Sequence, residues 1–111
     1  MKHRPERASS LIKEELALII ERSIETPGAL ATITDVEVTK DMEHASVYVS
    51  VFPTNKGPGV LKLLTAARQD LQWKLTKKMN IRPMPSILFK LDEGMENAAR
   101  VEKKLIEGEK N

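Results

Sequence analysis

Trp73, Lys74, Lys77 and Lys78, followed by Arg82, are the residues of this chain whose types and spacing suggest chemistry. Cations three and four residues apart on a helix share one side, and several together attract phosphates and release counterions on binding. An aromatic ring among them offers a platform for an unpaired base, worth about 1–3 kcal/mol per base. The surrounding segment is one-sided. Between residues 51 and 91 lie Lys56, Lys62, Arg68, Lys74, Lys77, Lys78, Arg82 and Lys90, and Asp70 is the only acid. Residues 1–50 carry nine acids against six Lys/Arg, and residues 92–111 carry six against four, so a net charge of +2 conceals one basic segment between two acidic ones. Compensation of a helix macrodipole extends over the last turn alone. It accounts for Lys77 and Lys78 but not for Lys62, Arg82 or Lys90. A merely solvated face would mix signs, as the first helix does, so attraction to a polyanion explains the pattern better.

Other chemistries find few ingredients. The chain contains no cysteine, which removes disulfides, thiolate nucleophiles and the commonest zinc ligands. His3 and His44 are far apart in sequence, one near the start and one in a reversal between strands, with no spacing that suggests metal ligation or general-base work. Asp41 and Glu43 fall in the same reversal, where acids serve turn formation. Gly57-Pro58-Gly59 is too short for a phosphate loop and lacks its lysine, and there is no nucleophile elbow. The expectation is a protein without catalysis, cofactor or metal.

The elements that must position the basic residues can be read from periodicity. Ala8, Leu11, Ile12, Leu16, Ile19, Ile20 and Ile24 step by three and four, which predicts an amphipathic helix opening at Pro5 and ended by Thr26-Pro27-Gly28. Lys13, Glu14, Glu21 and Glu25 mark its outer face. Val36 and Val38 alternate with Asp35, Glu37 and Thr39, and Ala45, Val47, Val49 and Val51 alternate with Ser46, Tyr48, Ser50 and Phe52. These are two strands covered on one face, joined as a hairpin by residues 40–44. From Val60 to about Met79, Leu61, Leu64, Ala67, Leu71 and Leu75 form the inner stripe of one long helix. Its opposite face runs through Lys62, Ala66, Gln69, Trp73 and Lys77, with Lys74 at the flank. Pro83 and Pro85 stop it, and SILFKL, residues 86–91, is a third strand.

Two readings of Trp73 stand at this point. The wheel points the ring outward, where it can stack on a base; a kink in so long a helix would rotate the phase and bury it at the core margin. The order helix, strand, strand, helix, strand predicts an α+β domain, one three-stranded sheet with helices packed on a single face. Residues 1–91 make the domain, and residues 92–111 make a tail with a weak helical stripe (Ala98, Val101, Leu105). With 111 residues and no apolar run near 20 residues long, one core, no membrane span and a cytosolic location are expected.

These residues resemble the bacterial ribosome-binding factor A family. The resemblance runs from Arg7 to Leu105. It rests on Val36-x-Val38 with Asp41 and then Ala45-x-Val47-Tyr48-Val49, and on Pro85-x-Ile87-x-Phe89 with Asp92, followed by Arg100-Val101. It implies a type II KH-like domain of order α-β-β-α-(kink)-α-β. It also implies binding to the free small (30S) ribosomal subunit and its 16S rRNA during late maturation and rRNA end processing, notably in the cold. Other assembly factors, such as ribosome-associated GTPases, and a monomeric state belong to the same expectation. The RNA contacts would fall on Lys62, Arg68, Trp73, Lys74, Lys77, Lys78, Arg82 and Lys90, with Arg4 and Arg7 as a second anchor.

The sequence departs from the family at the kink. Ala-x-Gly is replaced by Ala67-Arg68-Gln69, and without the glycine a bend that needs positive φ is costlier, so a shallower or shifted bend is expected. Gly94 and Ala98 stand where serine and glycine are common. An alternative from another functional class is a protein-binding adaptor that docks an acidic partner on the same basic surface.

Overall fold

The computed structural model describes residues 5–92. Helix α1 (Pro5–Ser23) opens with Pro5 in its first turn, where a missing N–H costs nothing, and buries Ala8, Ile12 and Leu16 completely. Strands β1 (Leu30–Val38) and β2 (His44–Phe52) pair antiparallel, and β3 (Ser86–Leu91) lies parallel to β2, giving the order β1-β2-β3. Val47, Val49, Ile87 and Phe89 face inward and meet Ile12, Leu16, Leu64, Leu71 and Leu75 in one core. The helices therefore cover one face of a three-stranded sheet, the α+β arrangement that the stripes require.

Between the second and third strands the chain forms a short 3-10 turn (Thr54–Lys56) and two helices, α2 (Gly57–Ala66) and α3 (Arg68–Met79). The single helix read from periodicity over residues 60–79 is thus two, and the break is Ala67, at φ −88° and ψ 1°. Both flanking hydrogen bonds survive, from the Ala67 N–H to Leu63 O and from the Leu71 N–H to Ala67 O, each 3.0 Å. This bridge conformation is sparsely populated but lies at negative φ, where a residue with a Cβ is allowed, so the interruption needs no glycine. The inner stripe keeps its phase across it, and Leu64, Leu71 and Leu75 stay fully buried. Gly57-Pro58-Gly59, ahead of the helix read from periodicity, forms the first turn of α2.

One further boundary and one helix stop differ from the sequence reading. The first strand begins at Leu30 rather than near Asp35, because a bulge at Thr34 switches the inward set from Ala31 and Ile33 to Val36 and Val38 and so breaks the alternation. Helix α3 ends at Met79, where the periodicity places its end, but its stop is Asn80, ahead of the prolines; a φ of 52° and ψ of 42° place Asn80 in the left-handed region, with its N–H on Thr76 O. In the hairpin the Thr39 hydroxyl and the Glu43 N–H bond to Asp41 and hold its carboxyl below the ordinary value of 3.8, with a smaller push from His44. Asp41 thus serves as a turn residue.

Two side chains pin the third strand. Gln72 on α3 donates to Pro85 O (3.0 Å) and accepts from the Ile87 N–H (2.8 Å), supplying an amide pair to the outer edge of β3. At the other end, the Asp92 N–H bonds Val49 O at 2.8 Å, and its carboxylate accepts from the Thr34 hydroxyl at the bulge. Gln72→Ala removes both half-buried bonds, and its expected cost is about 1–3 kcal/mol in urea unfolding. Gln72→Glu keeps the acceptor for Ile87 and should lose less. Asp92, assigned to the tail on sequence, is tied to the sheet; the rest of the tail, with Gly94 and Ala98, lies outside the described residues.

Candidate nucleic-acid interface

Helix α3 has two sharply different sides. Leu71 and Leu75 are fully buried, while Gln69, Trp73, Lys77 and Lys78 are exposed. At about 100° per residue, Trp73 lies roughly opposite the midpoint of Leu71 and Leu75, so the core contact itself turns the ring to solvent. Trp73 is 59% exposed, which excludes its burial at the core margin. The Lys77 ammonium sits over the ring, 4.4 Å from its centroid. At an exposed site such a cation–π contact contributes about 0.5–1 kcal/mol. It also presents an aromatic face and a positive charge as one unit.

Lys74 is held differently. Its ammonium lies 2.9 Å from Asp70 Oδ2 and 3.2 Å from the Ser23 hydroxyl of α1. This is the one acid in the basic segment, and it is spent on one lysine at i, i+4. Such an exposed pair is worth about 0.3–0.5 kcal/mol, less than a phosphate contact can replace. Lys78 is exposed in the last turn of α3, and Arg82 continues the exposed charge past its end. Ile81, beside Arg82, clusters with Ala8 of α1 and Met42, so the start of α1 is held against the chain leaving α3. Exposed Arg7, next to Ala8, thereby lies at the same end of the molecule as Arg82.

The remaining basic residues separate from this group. Lys62 is exposed on α2, ahead of the break, and Arg68 is half-buried at the first position of α3, at the opposite end of that helix from Lys77 and Lys78. Lys90 points to the face of the sheet away from the helices, with its ammonium 5.9 Å from the Tyr48 ring centroid. Period two forces this: Ile87 and Phe89 face the core, so Lys90 cannot. Arg4 and His3 lie outside the described residues. His44 is exposed at the start of β2, its N–H on the Thr39 hydroxyl oxygen at 3.2 Å. Sequence reasoning missed Ser23 and Gln72. Gln72 had a signal, a long amide directly beside the buried stripe; Ser23 had none, because its contact spans 51 positions.

Among the described residues no helix is long and apolar enough to cross a membrane. Comparison with known proteins gives this geometry a context. The ribosome-binding factor A family model matches residues 4–105. A ribosome-binding factor A of Dictyoglomus thermophilum is 34% identical over 110 residues, covering 96% of this chain and 92% of that protein. The crystal structure of ribosome-binding factor A from Thermus thermophilus superposes with a TM-score of 0.69 at 25% identity, covering 80% of this chain and 97% of that one. A second set of Thermus thermophilus coordinates, fitted into an electron-microscopy map of that factor's complex with the 30S subunit, gives a TM-score of 0.65 at 30% identity over 74% of this chain and 88% of that one. The shared fold, the identity to relatives and a family match over nearly the whole length agree: this chain belongs to the ribosome-binding factor A family.

Proposed function

We propose that this protein is a non-enzymatic assembly factor that binds the free small ribosomal subunit and its 16S rRNA late in maturation, while the rRNA ends are processed, and that it does so through the outer face of α3. The observation that carries the reading is the Lys77–Trp73 unit flanked by Lys74, Lys78 and Arg82, a cationic and aromatic surface facing solvent on a member of this family. Irregular or single-stranded RNA offers both things this surface needs, phosphates and unstacked bases. Arg7 extends the face at its α1 end; Lys62 and Arg68 reach RNA that runs on along α2. Lys90, on the other face of the sheet, acts only if RNA wraps an edge of the domain, and Arg4 is assigned with Arg7 to a second anchor. The protein holds immature rRNA in one arrangement by charge and shape, with no bond made or broken. It works in the cytoplasm as a monomer, alongside assembly GTPases, with the greatest demand in the cold, where misfolded rRNA is slowest to rearrange.

Co-sedimentation with purified small subunits across a salt series tests this. About six phosphate contacts, at roughly 0.7 counterion each for single strands, give a log–log slope near −4. A slope near zero overturns the electrostatic reading. Trp73→Ala should weaken binding by about 1–3 kcal/mol if a base stacks on the ring, while leaving the slope unchanged, because the substitution removes no charge.

A further inference from the structure

The free edge of β1, beside α1, carries a feature that the α3 face does not use. A groove of about 860 Å³ lies between α1 and β1, lined by Glu14, Ala17, Leu18 and Glu21 on the helix and by Leu30 and Ile33 on the strand. Leu18 and Leu30 are 42% and 67% exposed, outside the buried stripe that α1 turns to the core. Among the described residues β1 pairs with β2 alone, so its other edge presents unpaired backbone groups. Part of this edge is already closed: the Lys13 ammonium donates to Thr34 O at 3.3 Å, at the bulge. That leaves Leu30–Ile33 open beside the groove, about 13 Å of strand at 3.3 Å per residue.

Charge decides what fits there. Residues 5–38 hold seven acids against three bases, and Glu14 and Glu21 stand on the groove while its one lysine is turned to Thr34. Nucleic acid is repelled from such a rim. An extended peptide with Lys or Arg flanking an apolar residue meets every feature: its backbone adds to the edge, its apolar side chain covers Leu18 and Ile33, and its cations reach the two glutamates. We infer that the α1–β1 groove docks a basic, extended segment of a small-subunit protein, giving the factor a protein contact separate from its RNA face. This rests on the small-subunit reading above.

The test places the photoreactive residue benzoylphenylalanine at position 18, as Leu18→benzoylphenylalanine, and irradiates the full chain bound to purified small subunits. The expected product is a cross-link to a ribosomal protein, resistant to ribonuclease, mapping by mass spectrometry to a Lys/Arg-rich extended segment. Adding Glu14→Lys and Glu21→Lys should reduce its yield at least about tenfold while the chain still pellets through α3. Cross-links to rRNA, to a second copy of the chain, or none at all, in a chain that pellets normally, overturn the inference and leave the RNA face intact. An identically folded chain that fails to pellet even at low salt overturns the small-subunit reading, and the groove's assignment falls with it. A circular-dichroism melt matching the unmodified chain establishes that the substitutions preserve the fold.

Discussion

Replacing Lys74, Lys77 and Lys78 together by Glu should lower small-subunit affinity at least about 100-fold at 0.1 M salt. Three phosphate contacts releasing about 0.7 counterion each account for roughly two powers of ten by themselves, and the three new carboxylates add repulsion. The same variant should shift the log–log salt slope by about two, toward zero. Its folded state should survive, because Lys77 and Lys78 are exposed and Lys74 gives up only the exposed Asp70 pair and a bond to Ser23. Negative charge near the C-terminus of α3 opposes the macrodipole by about 0.3–1 kcal/mol per residue, too little to unfold a domain held by about 5–15 kcal/mol. Co-sedimentation and a circular-dichroism melt check the two halves separately. Undiminished binding by a folded variant would move the RNA contact off α3.

Ribonuclease treatment, rather than the triple variant, discriminates the adaptor alternative. An acidic protein partner would also be lost on charge reversal, but its capture from ribosomal material would withstand ribonuclease, whereas an rRNA contact would not. Trp73 separates them further. Base stacking uses the open face of an aromatic ring, and a ring 59% exposed under a lysine offers such a face. An acidic protein surface has no comparable use for it, so an unchanged affinity in Trp73→Ala would favour the adaptor.

What could be read from the sequence follows from the range of the interactions involved. The stripe Leu64, Leu71, Leu75 and the alternation Ala45, Val47, Val49, Val51 are local periodicities, and each marks the face that the structure buries. That same stripe turned Trp73, Gln69 and Lys77 outward without any knowledge of the sheet. The break at Ala67 was visible only through family resemblance, since a bridge conformation at negative φ does not call for the glycine that would have marked it. The bulge at Thr34 hid half of the first strand, because one extra residue inverts the alternation. Relations between elements were out of reach: charge counting grouped Lys90 with the α3 lysines, although the sheet lies between them. The groove along β1 was equally invisible, as Leu18 and Leu30 are unremarkable until α1 is laid beside the strand.

Leu71→Ala probes how the binding face depends on the core beneath it. Leu71 is completely buried in the core, on the side of α3 away from Trp73. Truncating a leucine at such a site removes its transfer energy and leaves a cavity, about 3–5 kcal/mol together. For a domain of this size each kcal/mol lowers the melting temperature by about 4–8 °C, so a fall of roughly 12–40 °C is expected in a thermal melt. Well below the new midpoint the cations and ring keep their places, and affinity for the subunit should remain within a few-fold of normal. This is the reverse of the Lys→Glu variant, which keeps the fold and loses the partner. If Leu71→Ala instead lowered affinity at temperatures where the chain stays folded, α3 would have to shift against the sheet when its anchor is trimmed, and Gln72, which joins the same helix turn to Pro85 and Ile87, would be the point at which that shift is resisted. The double variant with Gln72→Ala would then lose more affinity than the two single losses combined.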